Sequence, residues 1–130
     1  MSVDSPSSGD SPRPDLSEPR TWTHKFRDAF RGVASAIRTQ NSCHVHLFAT
    51  VAVIVAGFVR NLSTSDWCLI TLAIGGVWTA ELFNSALESL ARAINRRPDP
   101  HIATALDTAS GAVLVMAFAA AVLGGLVFLK

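Results

Sequence analysis

Ala109–Leu129 runs for 21 residues without a charged side chain. At ~1.5 Å of rise per residue, one helix of that length crosses the ~30 Å hydrocarbon core of a bilayer. Two other runs lack formal charge: Val45–Val59, with one histidine, and Trp67–Ala80. Both are short of the ~20 residues a span needs. They reach that length only by extension through polar residues, to Asn41 for the first and to Glu88 for the second. Composition agrees: 49% of residues are hydrophobic and 16% charged, against a usual ~25% charged. A water-soluble domain of this size has difficulty covering so much apolar surface. A chain of 130 residues holds one domain and is too short for a self-contained soluble kinase, Rossmann enzyme or TIM barrel. The net charge of +1 supplies no field to hold nucleic acid, so no nucleic-acid partner is expected.

Residues 1–20 read MSVDSPSSGDSPRPDLSEPR, with four of the six prolines and no aromatic residue. Such a segment cannot bury enough surface to offset its ordering entropy, which predicts a disordered tail. It also lacks the basic start and apolar core of a secretory signal. From Trp22 the pattern changes. Phe26, Phe30, Val33, Ala34 and Ile37 form one helical stripe, while Lys25, Arg27, Arg31 and Arg38 project largely from other faces. A basic amphipathic helix over 22–39 beside a span predicts an interfacial helix on anionic headgroups, in preference to the first helix of a soluble bundle.

Spans are expected at about 41–62, 66–94 and 105–129, within a single membrane domain over 21–130. Lys25, Arg27, Arg31, Arg38, Arg92, Arg96 and Arg97 lie on one side, and Arg60 and Lys130 on the other. That asymmetry puts the N-terminus in the cytoplasm and the C-terminus outside. Asn61–Asp66 reads as an outer turn, with Ser65 or Asp66 capping the second span and Trp67 at the interface. Asn95–Pro100 reads as an inner turn broken by Pro98 and Pro100. The fold class is thus an all-α membrane protein with a surface helix and three transmembrane helices, N-in/C-out. Cys43 and Cys68 fall at opposite faces, ~30 Å apart, too far for a disulfide.

The unusual feature is the inner half of the second span. Glu81, Asn84, Ser85 and Glu88 are spaced three, one and three apart, on one helical face. Glu81 lies about 14 residues, roughly 21 Å, from Trp67, still at hydrocarbon depth. A carboxylate there costs at least ~2.5 kcal/mol and must face protein, water or metal. Asp107 opens the third span, with Ser110 and Gly111 at helical spacing. Two or three carboxylates and an amide form a hard-oxygen site suited to Mg²⁺ carrying nucleotide phosphates, with one carboxylate left as a base. A polar seam between helices of an oligomer has the same spacing, and a proton or ion pathway is a third reading.

The stretch Glu81-Leu-Phe-Asn-Ser-Ala-Leu-Glu88 resembles the E-x-x-N-[ST]-A-[IL]-E signature of the small prokaryotic diacylglycerol kinase and undecaprenol kinase family. Phe26-Arg-Asp-Ala-Phe-Arg-Gly32 resembles its F-x-x-A-x-x-G surface helix, and Asp107-Thr-Ala-Ser-Gly-Ala-Val-Leu114 its D-x-A-[AS]-G-A-V-L motif. The resemblance spans about residues 22–129 in the same order and spacing. It implies a homotrimer in the inner (plasma) membrane that moves the γ-phosphate of MgATP to a lipid alcohol at the cytoplasmic face, with sites between subunits. It further implies Glu81 as general base, Asn84 as a site-organising amide, Glu88 as a metal ligand and Asp107 at the nucleotide end. Ser85 and Ser110 are the candidates to contact the lipid substrate.

Three positions depart from the pattern. Gln40 stands where the family has a metal-binding glutamate, Arg92 where it has an aspartate, and Leu106 where it has a lysine. Gln40 keeps a neutral carbonyl ligand for the metal. Arg92, Lys25, Arg96 and Arg97 are the candidates to replace the lost positive charge beside the nucleotide. The rival reading is a trimeric scaffold or lipid-binding protein of the same fold without phosphotransfer. The retained acids Glu81, Glu88 and Asp107 argue against it, because a scaffold has no need of costly carboxylates in lipid. No Walker-type loop or protein-kinase signature is present. Gly75-Gly76 and Gly124-Gly125 read as helix-packing positions. His44 and His46 are two apart and share no helical face, so they read as interfacial histidines rather than metal ligands.

Overall fold

The computed structural model describes residues 21–94 and 99–130. The expected tail over 1–20, and Asn95, Arg96, Arg97 and Pro98 of the expected inner turn, lie outside the described residues. Four helices account for nearly all of the rest: α1 (Trp22–Thr39), α2 (Asn41–Val59), α3 (Thr64–Ile94) and α4 (Pro100–Phe128). The last three are each long and apolar enough to cross a bilayer. With 31 residues, α3 is ~46 Å long, well beyond a ~30 Å hydrocarbon core.

Each boundary has a local cause. Gln40 alone is extended (φ −110°, ψ 118°) and serves as both the C-cap of α1 and the N-cap of α2. At the end of α2, Leu62 N–H donates to Gly57 O at 3.1 Å and Asn61 N–H to Phe58 O at 3.2 Å. Asn61 is left-handed there, with φ 50°. These two bonds make a Schellman end, for which asparagine is the usual substitute for glycine.

The cap of α3 differs from the expectation of Ser65 or Asp66. Ser63 takes that place, because its hydroxyl accepts from Asp66 N–H at 3.3 Å while Asp66 Oδ2 accepts from Ser63 N–H at 3.3 Å. The pair is a capping box, two orphan donors satisfied reciprocally. The start of α4 also differs, at Pro100 rather than about 105. Asp99 Oδ1 accepts from His101 and Ile102 N–H at 2.8 and 3.2 Å. Pro100 therefore opens the helix at its first position, where a missing N–H costs nothing, and does not break it.

α3 is the central element, with α4 packed along it and α2 on another side. Buried positions on α3 fall at Ile70, Ala73, Val77, Glu81 and Asn84. The covered stripe of α2 is Cys43, His46, Thr50, Val53 and Gly57, and Trp78 Nε1 donates to Thr50 Oγ1 at 3.0 Å. Steps of three and four are the signature of helices meeting along one seam. Among the described residues α2 does not pack on α4. An apolar gap of about 230 Å³ lies between them, bordered by His46 and Thr50 on one side and Ala117 and Ala121 on the other.

Of the two glycine pairs, only Gly76 is crowded: a Cβ there would collide with Met116 Cε, whereas Gly75, Gly124 and Gly125 face open space. At Gly57 a Cβ would come within 2.8 Å of the Trp67 ring, which also packs on Phe58. At the same end, buried Asp66 pairs with Lys130, and Arg60 Nη2 donates to Phe128 O at 3.2 Å. Cys43 is buried and Cys68 exposed, both as free thiols. Phe48, Phe83, Leu114 and Phe118 point outward. No residue of α1 is buried, and Trp22, Phe26 and Phe30 stay exposed, an apolar stripe available to a headgroup layer.

Candidate active site at the junction of α1, α2 and α3

Helical geometry puts the polar residues of α3 on one face, and the α1–α2 junction closes over it. Glu81 is 1% exposed. Its Oε1 accepts from the Ser42 hydroxyl, with the Cys43 thiol 3.8 Å away. Its Oε2 faces His46 Nε2 at 3.7 Å. Three side chains from the first turns of α2 thus surround a carboxylate that lipid would not tolerate alone.

Two turns along α3, ~10 Å by helical rise, Glu88 forms a second centre. Its Oε2 accepts from Gln40 Nε2 at 2.9 Å and its Oε1 from Asn84 Nδ2 at 3.0 Å. Arg92 Nη1 stands 3.7 Å from Oε2. Asn84 is the bridge to α4, because its Oδ1 accepts from Ser110 Oγ at 3.4 Å. Gln40 reaches Glu88 because the single extended residue ends α1 beside the inner half of α3.

Two openings flank this ladder. One, of about 400 Å³, lies between α1 and α3 and is bordered by Gly32, Ala36, Gln40, Ser85 and Ala86. Ser85 lines it with a buried hydroxyl whose one neighbour among the described residues is the Cys43 thiol, a weak partner. The other, of about 370 Å³, is bordered by Glu88, Arg92, Ile102 and Leu106.

The structure brings together Gln40, Glu81, Asn84, Ser85, Glu88, Arg92 and Ser110. It does not bring Lys25 or Asp107 to them. Lys25 Nζ lies 4.7 Å over the Trp22 ring, at the far end of α1 and ~22 Å of helix from Gln40. Asp107 is exposed and makes none of these contacts. Of the three expected nucleotide-side groups, Arg92 stands beside Glu88, while Lys25 and Asp107 make no contact with the carboxylates within one chain. Sequence reasoning missed Ser42, Cys43 and His46 as neighbours of Glu81. Cys43, His46 and Thr50 share one face of α2, but the apolar residues around that helix left nothing in the sequence to show that this face meets α3. Among the described residues no group of three or more His, Cys, Asp or Glu side chains is placed to hold a metal ion.

Comparison with known proteins adds the family. Residues 27–128 match the family described as prokaryotic diacylglycerol kinase. The chain is 38% identical over 104 residues to an undecaprenol kinase of Bacillus subtilis, covering 80% of this chain and 85% of that protein. It is 37% identical over 105 residues to a diacylglycerol kinase of Synechocystis, covering 80% of this chain and 60% of that protein. No solved structure gives a significant match. With the match running from α1 to the end of α4 and through the whole Glu81–Glu88 ladder, the chain belongs to the prokaryotic diacylglycerol kinase family of membrane lipid kinases.

Proposed function

We propose that this chain transfers the γ-phosphate of MgATP to the hydroxyl of a membrane lipid alcohol, either diacylglycerol or a polyprenol such as undecaprenol. Glu81, fully buried and braced by Ser42, carries this reading: a carboxylate held inside the helices supports a general base rather than a surface charge. Glu88 would ligate the metal, with Gln40 turning its amide carbonyl toward it, while Asn84 organises the ladder. A single carboxylate suits Mg²⁺, which is usually held by one or two carboxylates together with substrate phosphates. Magnesium would thus arrive on the nucleotide, neutralising charge on the phosphates. The opening beside Glu88 and Arg92 suits the nucleotide. The opening at Ser85 suits the lipid head, whose oxygen would be a stronger partner for that hydroxyl than the Cys43 thiol, with Ser110 supporting Asn84 from α4.

The separation of Lys25 and Asp107 from the carboxylates favours a site completed by a neighbouring copy, in keeping with a homotrimer. The positive-side asymmetry supports a site at the cytoplasmic face of the inner membrane. The test is phosphotransfer from labelled MgATP to diacylglycerol, undecaprenol and other lipid alcohols in bilayers. Transfer that Glu81→Gln abolishes with assembly intact is the expected outcome. Turnover that persists in Glu81→Gln rejects the assigned base. No transfer to any alcohol by an intact assembly selects the scaffold reading instead.

A further inference from the structure

We propose that Ser42 is a positioning residue for the kinase reaction: its hydroxyl fixes the carboxylate of Glu81 by one oxygen and leaves the other for the lipid hydroxyl. The inference rests on the kinase reading above and adds a residue to it.

Two observations carry it. The first is how little else holds Glu81. Its Oε1 accepts from the Ser42 hydroxyl. The Cys43 thiol, 3.8 Å from the same oxygen, is a weak donor. His46 Nε2 stands 3.7 Å from Oε2, beyond the ~2.7–3.2 Å of an N–H···O bond. Ser42 is thus the one strong donor to Glu81 among the described residues. The second observation is where the chain puts that donor. Gln40 is the single extended residue between α1 and α2, and Ser42 follows in the first turn of α2. Gln40 Nε2 donates to Glu88 and Ser42 Oγ to Glu81, so one junction sends a donor to each carboxylate of the α3 ladder. Gln40 and not Ser42 is the N-cap of α2, so the serine hydroxyl is not needed to start the helix. Ser42 is also exposed, so truncating it removes a donor without emptying a packed core.

In the transfer, the lipid oxygen bonds the γ-phosphorus, the bond from that phosphorus to the β,γ-bridging oxygen breaks, and ADP leaves with its electron pair. The hydroxyl proton passes to Glu81 Oε2, the oxygen that accepts no hydrogen bond. Ser42 gives up no proton in this step and keeps its bond to Oε1 throughout. Its contribution is geometric. A glutamate side chain turns about several bonds, and a reacting group displaced by ~1 Å can cost about 10²-fold in rate. The Ser42 hydroxyl removes that freedom from the carboxylate.

The test uses the full chain in bilayers, with wild type, Ser42→Ala, Ser42→Val and Ser42→Thr compared for kcat and for KM for MgATP. Valine and threonine side chains share a shape and differ in the hydroxyl, so this pair separates the donor from its bulk. Ser42→Ala and Ser42→Val should each lose about 10²-fold in kcat. KM for MgATP should not change, because Ser42 does not border the opening beside Glu88 and Arg92. Ser42→Thr, which returns the hydroxyl, should recover most of the loss. An equal loss in Ser42→Thr and Ser42→Val is an effect of shape and overturns the proposal. Unchanged kcat in Ser42→Ala overturns it too, even with lower thermal stability, because Ser42 is then only a structural partner of a buried carboxylate. If wild type transfers phosphate and Glu81→Gln does not while the Ser42 variants behave as wild type, the positioning role alone fails. If wild type phosphorylates no lipid alcohol, the kinase reading fails and takes the positioning role with it.

Discussion

Replacing Gln40 by glutamate changes a donor into an acceptor at the most constrained contact of the ladder. Gln40 Nε2 lies 2.9 Å from Glu88 Oε2, and a glutamate of the same length would set two carboxylates face to face. The substitution removes a hydrogen bond to a charged group, worth ~1.5–3 kcal/mol. It also adds like-charge repulsion. At about 4 Å between charge centres that repulsion is ~1 kcal/mol in water and ~4 kcal/mol at an effective dielectric constant of 20. The side chain of Glu88 is 31% exposed, so screening keeps the penalty toward the lower end, and a total near ~3 kcal/mol is expected. For a chain of this size that lowers Tm by roughly 10 °C. Magnesium should reverse the loss, since a ligand at a hundred times its Kd returns ~2.7 kcal/mol. The assay is thermal unfolding of wild type and Gln40→Glu in detergent, in EDTA and across a magnesium titration. A variant as stable as wild type in EDTA, with no added response to magnesium, would refute both the contact and the metal assignment of Glu88.

The two crowded glycines should differ when changed to alanine. At Gly57 the obstacle is the rigid Trp67 ring, so Gly57→Ala should cost ~1–3 kcal/mol. At Gly76 it is the end of the flexible Met116 side chain, so Gly76→Ala should cost less than ~1 kcal/mol. Unfolding in mild detergent measures both. Arg92 is 63% exposed at its pair with Glu88, so Arg92→Ala should leave stability within ~1 kcal/mol of wild type. If Arg92 supplies the charge lost at Leu106, the same variant should slow phosphotransfer by up to ~10²–10³. Unchanged turnover removes Arg92 from the account.

The polar ladder of α3 could be read directly because a helix leaves no choice about which residues share a face. Glu81, Asn84, Ser85 and Glu88 lie together in the structure as their spacing requires. The partners on α2 were harder to see. α2 is apolar almost all round, and in lipid that pattern does not say which side meets protein. Cys43, His46 and Thr50 therefore gave little reason to be singled out until α3 stood against them. Boundaries failed for a different reason. Pro100 reads as a breaker unless the Asp99 cap before it is recognised, and Ser63 reads as loop unless paired with Asp66. Asp107 entered as the acid opening the third span and Lys25 as a cation on the same side of the membrane; neither placement fixes a contact, and a single chain leaves both without one to the carboxylates.

The burial of Glu81 beside Cys43 means that the best-protected point of the protomer is a reactive group and not an apolar core. In water, tolerance to substitution falls from the surface inward because exposed positions contact only solvent. Here the surrounding medium is itself oily. Positions such as Leu114 and Phe118 should accept exchange among large apolar residues freely, yet reject any charge. Interior positions should reject even mild changes of shape or polarity. A complete map of single substitutions would thus be written mainly in polarity at the outside and in atomic detail at the centre. Selection acting on such a chain could let most of its span surface drift while holding a handful of side chains in place.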